Sequence, residues 1–239
     1  TAALAGMLQA SRFADRSDPL AAPDTATAAA TATALAAELP PEFVGSLDEA
    51  QAKQLFARFG VPCAAERIVS SPAEAEVAAR ELGGRVVLKI LSSQITHKSD
   101  VGGVAVGLTT QTIAERLVQM AGDVHAKTGV RPERFLVQEM VSGGTELILG
   151  MHRDGLGTAV MLGMGGVTAE LFQDTTMPLM PTAGVLSRAD ALAMARELKT
   201  WPLLDGFRGR PKADVDALVD AIVAFSTMAA QLGDRLVEA

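Results

Sequence analysis

Val86-Val87-Leu88-Lys89-Ile90, continuing through Ser92-Ser93-Gln94-Ile95-Thr96-His97-Lys98-Ser99-Asp100-Val101-Gly102-Gly103-Val104, is the stretch in which this chain gathers most of its chemistry. The β-branched run predicts a strand that delivers Lys89, and the loop after it carries His97 and Lys98. Gly102-Gly103 lets the backbone approach whatever those cations hold. Two ammonium groups and an imidazole suit an anion, so the stretch reads as a nucleotide-phosphate site. The plainer alternative is a lysine snorkelling from a sheet edge, followed by a Gly-Gly turn between two strands. No Walker-type G-x-x-x-x-G-K-[ST] spacing decides between them.

At 239 residues with 49% apolar side chains, the chain has ample material for a core and suits one two-lobed domain with an appendage. A formal charge of −7, with no run of Lys and Arg, argues against a nucleic-acid surface, which needs a concentrated basic face. Cys63 is the only cysteine, so no intrachain disulfide can form, and without a basic neighbour in sequence it is expected as a small buried side chain. His97, His125 and His152 are too scattered for a metal motif. No apolar run reaches the roughly 18 residues of a bilayer span, and no signal-peptide pattern opens the chain. A cytoplasmic protein with no membrane and no nucleic-acid partner is expected.

Residues 1–40 read as a short helical remnant, Ala3 to Phe13, and an Ala/Thr/Pro tract, Asp18 to Pro41, of linker composition, as in the tail of a preceding domain. Ser46-x-x-Glu49 predicts a capping box for a helix with Ala52, Leu55, Phe56 and Phe59 on one face, ended by Gly60 and Pro62. Ser71-x-x-Glu74, with Pro72 at the first helical position, starts a helix that stops at Gly83-Gly84. After the Lys89 strand, Gly103 to Leu108 predicts a strand, and Thr112 to Lys127 a helix burying Ile113, Leu117, Met120 and Val124. Further strands are expected at Arg134 to Val141, Thr145 to His152 and Thr158 to Leu162, with a turn at Asp154-Gly155 and short strands at Ala169 to Phe172 and Thr176 to Met180. Helices Ser187 to Leu198 and Asp214 to Leu232 flank the loop Trp201 to Pro211. This order is α+β with mostly antiparallel pairing in its second half, and a cleft between two lobes suits a nucleotide.

Four separated segments carry a family resemblance. The Lys89-to-Val104 stretch, Phe135-Leu136-Val137-Gln138-Glu139-Met140-Val141 with Glu146, Gly163-Met164-Gly165-Gly166-Val167-Thr168-Ala169-Glu170-Leu171-Phe172-Gln173-Asp174, and Arg235 to Ala239 resemble the ATP-grasp fold of the β-subunit type, a likeness that begins at Leu47-Asp48-Glu49-Ala50-Gln51-Ala52-Lys53-Gln54-Leu55-Phe56 with Gly60-Val61-Pro62. That type is found in ADP-forming acyl-CoA synthetases and succinyl-CoA synthetase, and the likeness covers roughly residues 45–239. It implies a smaller lobe over 61–140 and a larger lobe over 41–60 with 141–239. It implies that Lys89 reaches ATP or ADP phosphates, that the loop with Lys98, Gly102 and Gly103 folds over them, and that His97 accepts a phosphoryl group and moves with its loop. Neutral imidazole is a nucleophile near pH 7 and its phosphorylated form a reactive donor; the alternative is a histidine that only hydrogen-bonds its loop. The resemblance further implies that the strand with Gln138, Glu139, Met140 and Val141 crosses between lobes and reads adenine through its backbone. A carboxylate at Glu146 would hold the ribose hydroxyls.

Gly165 and Gly166 fall in the family segment lining the cleft floor, where Glu170 would meet a histidine or metal, or simply be an exposed strand residue. Asp174 is a weaker candidate of the same kind, and Arg208-Gly209-Arg210 reads as a surface loop packed by Trp201. The family's Asp-Ile-Asn-Pro magnesium motif would follow Arg235 to Ala239, so Mg²⁺ ligands are expected beyond Ala239 and none within the chain. CoA would belong to further domains, in the same protein or a partner subunit, and an oligomer is expected at full length. Two other readings stay open: a synthetase-like regulatory module of a protein lysine acetyltransferase, and a carboxylate-amine ligase that needs no histidine nucleophile.

Overall fold

The computed structural model describes residues 7–9, 47–92, 94–95, 98–166, 169–181 and 184–239, with the backbone alone for 7–9, Glu170 and Leu171. In chain order the elements are β1 (Met7–Gln9), α1 (Glu49–Arg58), β2 (Glu66–Val69), α2 (Pro72–Leu82), β3 (Val86–Ile90), β4 (Val104–Leu108), α3 (Ile113–Thr128) and β5 (Phe135–Glu139). They continue with β6 (Glu146–Asp154), β7 (Gly157–Met164), α4 (Ala169–Phe172), β8 (Thr175–Thr176), α5 (Arg188–Glu197), α6 (Trp201–Leu204) and α7 (Val215–Leu232).

The two strand sets form separate antiparallel sheets, ordered β2-β5-β3-β4 and β1-β6-β7-β8. In the first sheet the period-two alternation of β3 buries Val86, Leu88 and Ile90 and leaves Val87 and Lys89 half-buried on the opposite face. The buried face packs on α2 and on α3, whose Ile113, Leu117, Met120 and Val124 recur at helical spacing and are all buried. In the second sheet Leu147, Leu149 and Met151 of β6 and Val160 and Leu162 of β7 face a core built with α1, α5 and α7. The Phe56 ring of α1 meets Phe225 of α7 at 5.8 Å between centroids and 58°, a tilted aromatic contact. A third, small cluster of Ala50, Leu91 and Leu136 joins α1 to the first sheet. α1 therefore belongs to the second core and touches the other face of the first sheet.

Several local expectations are corrected. The cap of α1 is Asp48 rather than Ser46, which lies outside the described residues: Asp48 Oδ1 accepts the Gln51 N–H at 2.9 Å and Gln51 Oε1 accepts the Asp48 N–H at 2.9 Å. The shift of two residues releases Glu49 from any capping duty. Ser71 does cap α2, but Glu74 reaches back to the N–H of Ser70 at 2.8 Å. Met7–Gln9, placed in a helical remnant by sequence, pairs as a strand along Glu146–Ile148. The tract from Asp18 to Pro41 lies outside the described residues.

The hairpin between β6 and β7 turns at Gly155-Leu156, one residue later than expected, with Asp154 Oδ1 accepting the Leu156 N–H at 2.8 Å. Ala169–Phe172 is a helical turn and not a strand; four residues are too few for periodicity to decide. Cys63 is exposed. By length and composition α7 could cross a membrane, contrary to the expectation of no such run, yet its Leu218, Val219, Ile222, Phe225, Met228 and Ala229 are buried in the second core.

Candidate nucleotide-phosphate site

Lys89 points from β3 toward α1, and its neighbours along that face follow from register: Lys89 pairs with Val104 and Leu136, and Val87 with Gln138. Its Nζ lies 2.7 Å from Glu49 Oε1, and Lys98 Nζ lies 3.1 Å from Glu49 Oε2. Lys53, one helical turn along α1, is 2.8 Å from Glu49 and 2.7 Å from Glu66. The site is thus a cluster of Lys53, Lys89 and Lys98 against Glu49 and Glu66, with one positive charge in excess. Glu49 did not figure among the residues expected from sequence.

The cluster is largely shielded, with the three lysine side chains 17–24% exposed, so its charges act more strongly than surface pairs. Burial would raise the Glu49 pKa, but the ammonium groups of Lys89 and Lys53 outweigh it and hold the carboxyl at about 2. Burial lowers the Lys89 pKa, aided by Lys53 and Lys98 and only partly opposed by Glu49. Lys53 moves the other way: burial is overcome by two carboxylates, Glu49 and Glu66, and its pKa rises.

A folded-state carboxyl held at about 2, against an ordinary 4.5, contributes stability that is present above pH 4.5 and lost as pH falls toward 2. Denaturant unfolding followed across that window is expected to lose about 2–3 kcal/mol more in the wild type than in Glu49→Gln.

Gly102 and Gly103 close the loop onto β3. Gly102 has φ +79°, a backbone state that disfavours side chains. At Gly103 a Cβ would sit 2.7 Å from Ile90 Cδ1 and 2.9 Å from the Lys98 carbonyl oxygen. That oxygen cannot retreat, because it accepts the Gly103 N–H at 2.7 Å, while the Gly103 carbonyl accepts the Ile90 N–H at 2.9 Å. Gly103→Ala is expected to cost about 2–3 kcal/mol of unfolding free energy, as overpacking against a fully buried Ile90. It should also displace Lys98, whose carbonyl it strikes. His97 and Thr96 lie outside the described residues, and so does the expectation about the motion of His97.

Val86 pairs with Glu139, so the end of β5 lies three residues along β3 from Lys89, about 10 Å. That is the length between a base and its polyphosphate. Beside it a cleft of about 330 Å³ is lined by Leu82, Gly83, Gly84, Arg85, Glu139, Met140 and Ser142. The Met140 N–H donates to the Arg85 carbonyl at 3.1 Å, and Glu139 is engaged locally, its Oε1 accepting the Ala65 N–H at 2.9 Å. Gln138, Glu139, Met140 and Val141 are all half-buried.

Glu146 opens β6, and the glycines expected to line a phosphate floor pack on it. Gly165 N–H donates to the Glu146 carbonyl at 2.7 Å, and a Cβ on Gly166 would lie 2.8 Å from Glu146 Oε2. The two glycines therefore make room for Glu146, a service that their sequence pattern does not reveal. Glu170 sits in α4 rather than on a strand. Asp174 is buried at 4% exposure, where its carboxylate accepts the Thr200 hydroxyl at 2.6 Å and the N–H groups of Lys199 and Thr200 at 2.8 Å each. Burial raises its pKa, but these bonds prevail and lower it, so Asp174 anchors the start of α6. Among the described residues no three His, Cys, Asp or Glu side chains group closely enough to hold a metal ion.

The ATP-grasp domain model matches residues 42–236. The chain is 37% identical over 172 residues to acetate–CoA ligase [ADP-forming] I of Archaeoglobus fulgidus, covering 71% of this chain and 24% of that one. It is 34% identical over 189 residues to the beta subunit of acetate–CoA ligase [ADP-forming] I of Pyrococcus furiosus, covering 78% of this chain and 80% of that subunit. Among solved structures, dinucleotide forming acetyl-coenzyme A synthetase 1 of Ca. Korarchaeum cryptofilum, in complex with coenzyme A and Ca-AMPCP, superposes with a TM-score of 0.77 and 36% identity, over 87% of this chain and 90% of that one. A second structure of that enzyme holds coenzyme A and Mg-AMPPCP with a phosphohistidine segment pointing towards the nucleotide binding site, at a TM-score of 0.66 and 36% identity over 80% of this chain and 81% of that one. The chain thus spans about a quarter of its single-chain relative and four fifths of the separate beta subunit.

Proposed function

The chain belongs to the ATP-grasp domain family, and on that premise we propose that it is the nucleotide-binding, phosphoryl-relay part of an ADP-forming acyl-CoA synthetase. The reaction is carboxylate, CoA and ATP giving acyl-CoA, ADP and phosphate. The observation that carries this reading is the paired ammonium groups of Lys89 and Lys98 on the sheet face toward α1, about 10 Å along β3 from the end of β5.

In this reading the backbone of Gln138 to Val141 meets the base, Glu146 accepts hydrogen bonds from the ribose hydroxyls, and Lys89 and Lys98 hold the phosphates. An imidazole nitrogen of neutral His97 attacks the γ-phosphorus of ATP. The N–P bond forms, the bond from phosphorus to the β,γ-bridging oxygen breaks, and ADP leaves with that electron pair. The phosphohistidine then carries the phosphoryl group to the CoA-binding domains, which we assign to the rest of the protein or a partner subunit. Mg²⁺ would accompany the nucleotide as charge neutraliser when bound.

The full-length protein, incubated with γ-labelled ATP and Mg²⁺, is expected to take up label that is acid-labile and base-stable, as phosphoramidates are. CoA and the carboxylate substrate should discharge it. A protein that takes up no such label while still releasing ADP from ATP and a carboxylate would overturn the relay and point to a carboxylate-amine ligase.

A further inference from the structure

We propose that Glu49 is an internal counter-ion, a carboxylate that occupies Lys89 and Lys98 in the anion-free protein and yields them when a polyphosphate arrives. The inference rests on the assignment of those lysines to nucleotide phosphates. Each Glu49 oxygen serves one of them, Oε1 at 2.7 Å from Lys89 and Oε2 at 3.1 Å from Lys98. Among the described residues no other carboxylate comes within salt-bridge distance of either. The partners lie 40 and 49 residues from Glu49, so the contact is made by the fold and not by neighbours on one helix.

Two further features fit an exchange rather than a fixed tie. Lys53 is also bound to Glu49, at 2.8 Å, and keeps that carboxylate neutralised after the other two lysines turn to a phosphate. The charges require such a rearrangement. With Glu49 in place the cluster has one positive charge in excess, so a polyphosphate bringing several negative charges would leave Glu49 facing like charge at short range in a shielded site. Burial, aided by Lys53 and Lys98, lowers the Lys89 proton affinity although Glu49 lies beside it.

Nucleotide affinity would then be set by competition with the protein's own carboxylate, and Glu49 is a positioning residue that keeps two buried ammonium groups aimed and neutralised between turnovers.

The test is calorimetric titration of the full-length protein with ADP and, separately, inorganic tripolyphosphate. Glu49→Gln is expected to bind tripolyphosphate about tenfold more tightly, since the competing charge is gone and the amide preserves the volume. Glu66→Gln removes the same charge from the same cluster without touching Lys89 or Lys98, and should change affinity by no more than about twofold. Equal gains in both variants, or weaker binding in Glu49→Gln, would overturn the counter-ion role. If Glu49→Gln does not fold, Lys53→Gln decides: Glu49 then has only Lys89 and Lys98 to hold, and binding should weaken by about threefold. Unchanged or tighter binding there would also overturn it. Lys89→Met separates the two levels of the argument. If it leaves the binding of both anions intact, the nucleotide assignment itself fails. If it abolishes binding while Glu49→Gln gains nothing, only the counter-ion inference fails.

Discussion

His97→Ala is expected to erase the acid-labile label from γ-labelled ATP and to lower synthetase turnover by at least about a thousandfold, while ADP affinity stays within about twofold of wild type. The size follows from the proposed role. A covalent carrier has no partial substitute, because the phosphoryl group must leave one site bonded to an atom that can travel to the other. Methyl for imidazole removes that atom. Binding should survive because the groups proposed to hold nucleotide are others: Lys89 on β3, Lys98, and the backbone at the end of β5. Quench-flow labelling and equilibrium titration of the same preparation check both halves. Label that persists in His97→Ala would remove His97 from the reaction.

Lys89→Met should fail differently, losing about 30- to 100-fold in nucleotide affinity and somewhat more in turnover. Methionine keeps the unbranched stem that lies on the sheet face beside Val87 and Leu136 and deletes only the charge. A charge-assisted bond to phosphate is worth about 1.5–3 kcal/mol, which sets the affinity range, and charge developing on the transferred phosphoryl group adds to it in turnover. Folding should be little harmed, because Glu49 retains Lys53 and Lys98. Titration with ADP and a thermal melt measure the two. Together the variants separate a residue that moves phosphate from one that holds it: the first loses label and keeps binding, the second loses both.

The elements were legible where pattern and length agree. α3 shows its buried stripe of Ile113, Leu117, Met120 and Val124 plainly, and β3 shows its alternation; the likeness to the ATP-grasp fold, read from scattered motifs, is borne out by the family match. Glu49 was hidden by a plausible local reading. Ser46-x-x-Glu49 fits a capping box, and so does Asp48 with Gln51; only the folded chain shows which pair closes. Even with the cap correctly placed, no spacing rule joins Glu49 to lysines 40 and 49 residues away. The Gly165-Gly166 pair has a duty that its spacing does not reveal, since a side chain at either position would take the space that Glu146 needs. α4 was misassigned because Ala-Glu-Leu-Phe is too short to show a period.

The alternation along β3 also constrains how this protein can change over generations. Adding or deleting one residue inside Val86–Ile90 would turn Lys89 into the core of α2 and α3 and bring Leu88 or Ile90 out onto the face toward α1. A single insertion there would cost both a buried ammonium and the site itself. Length variation among descendants of this chain should therefore be absent from the strand.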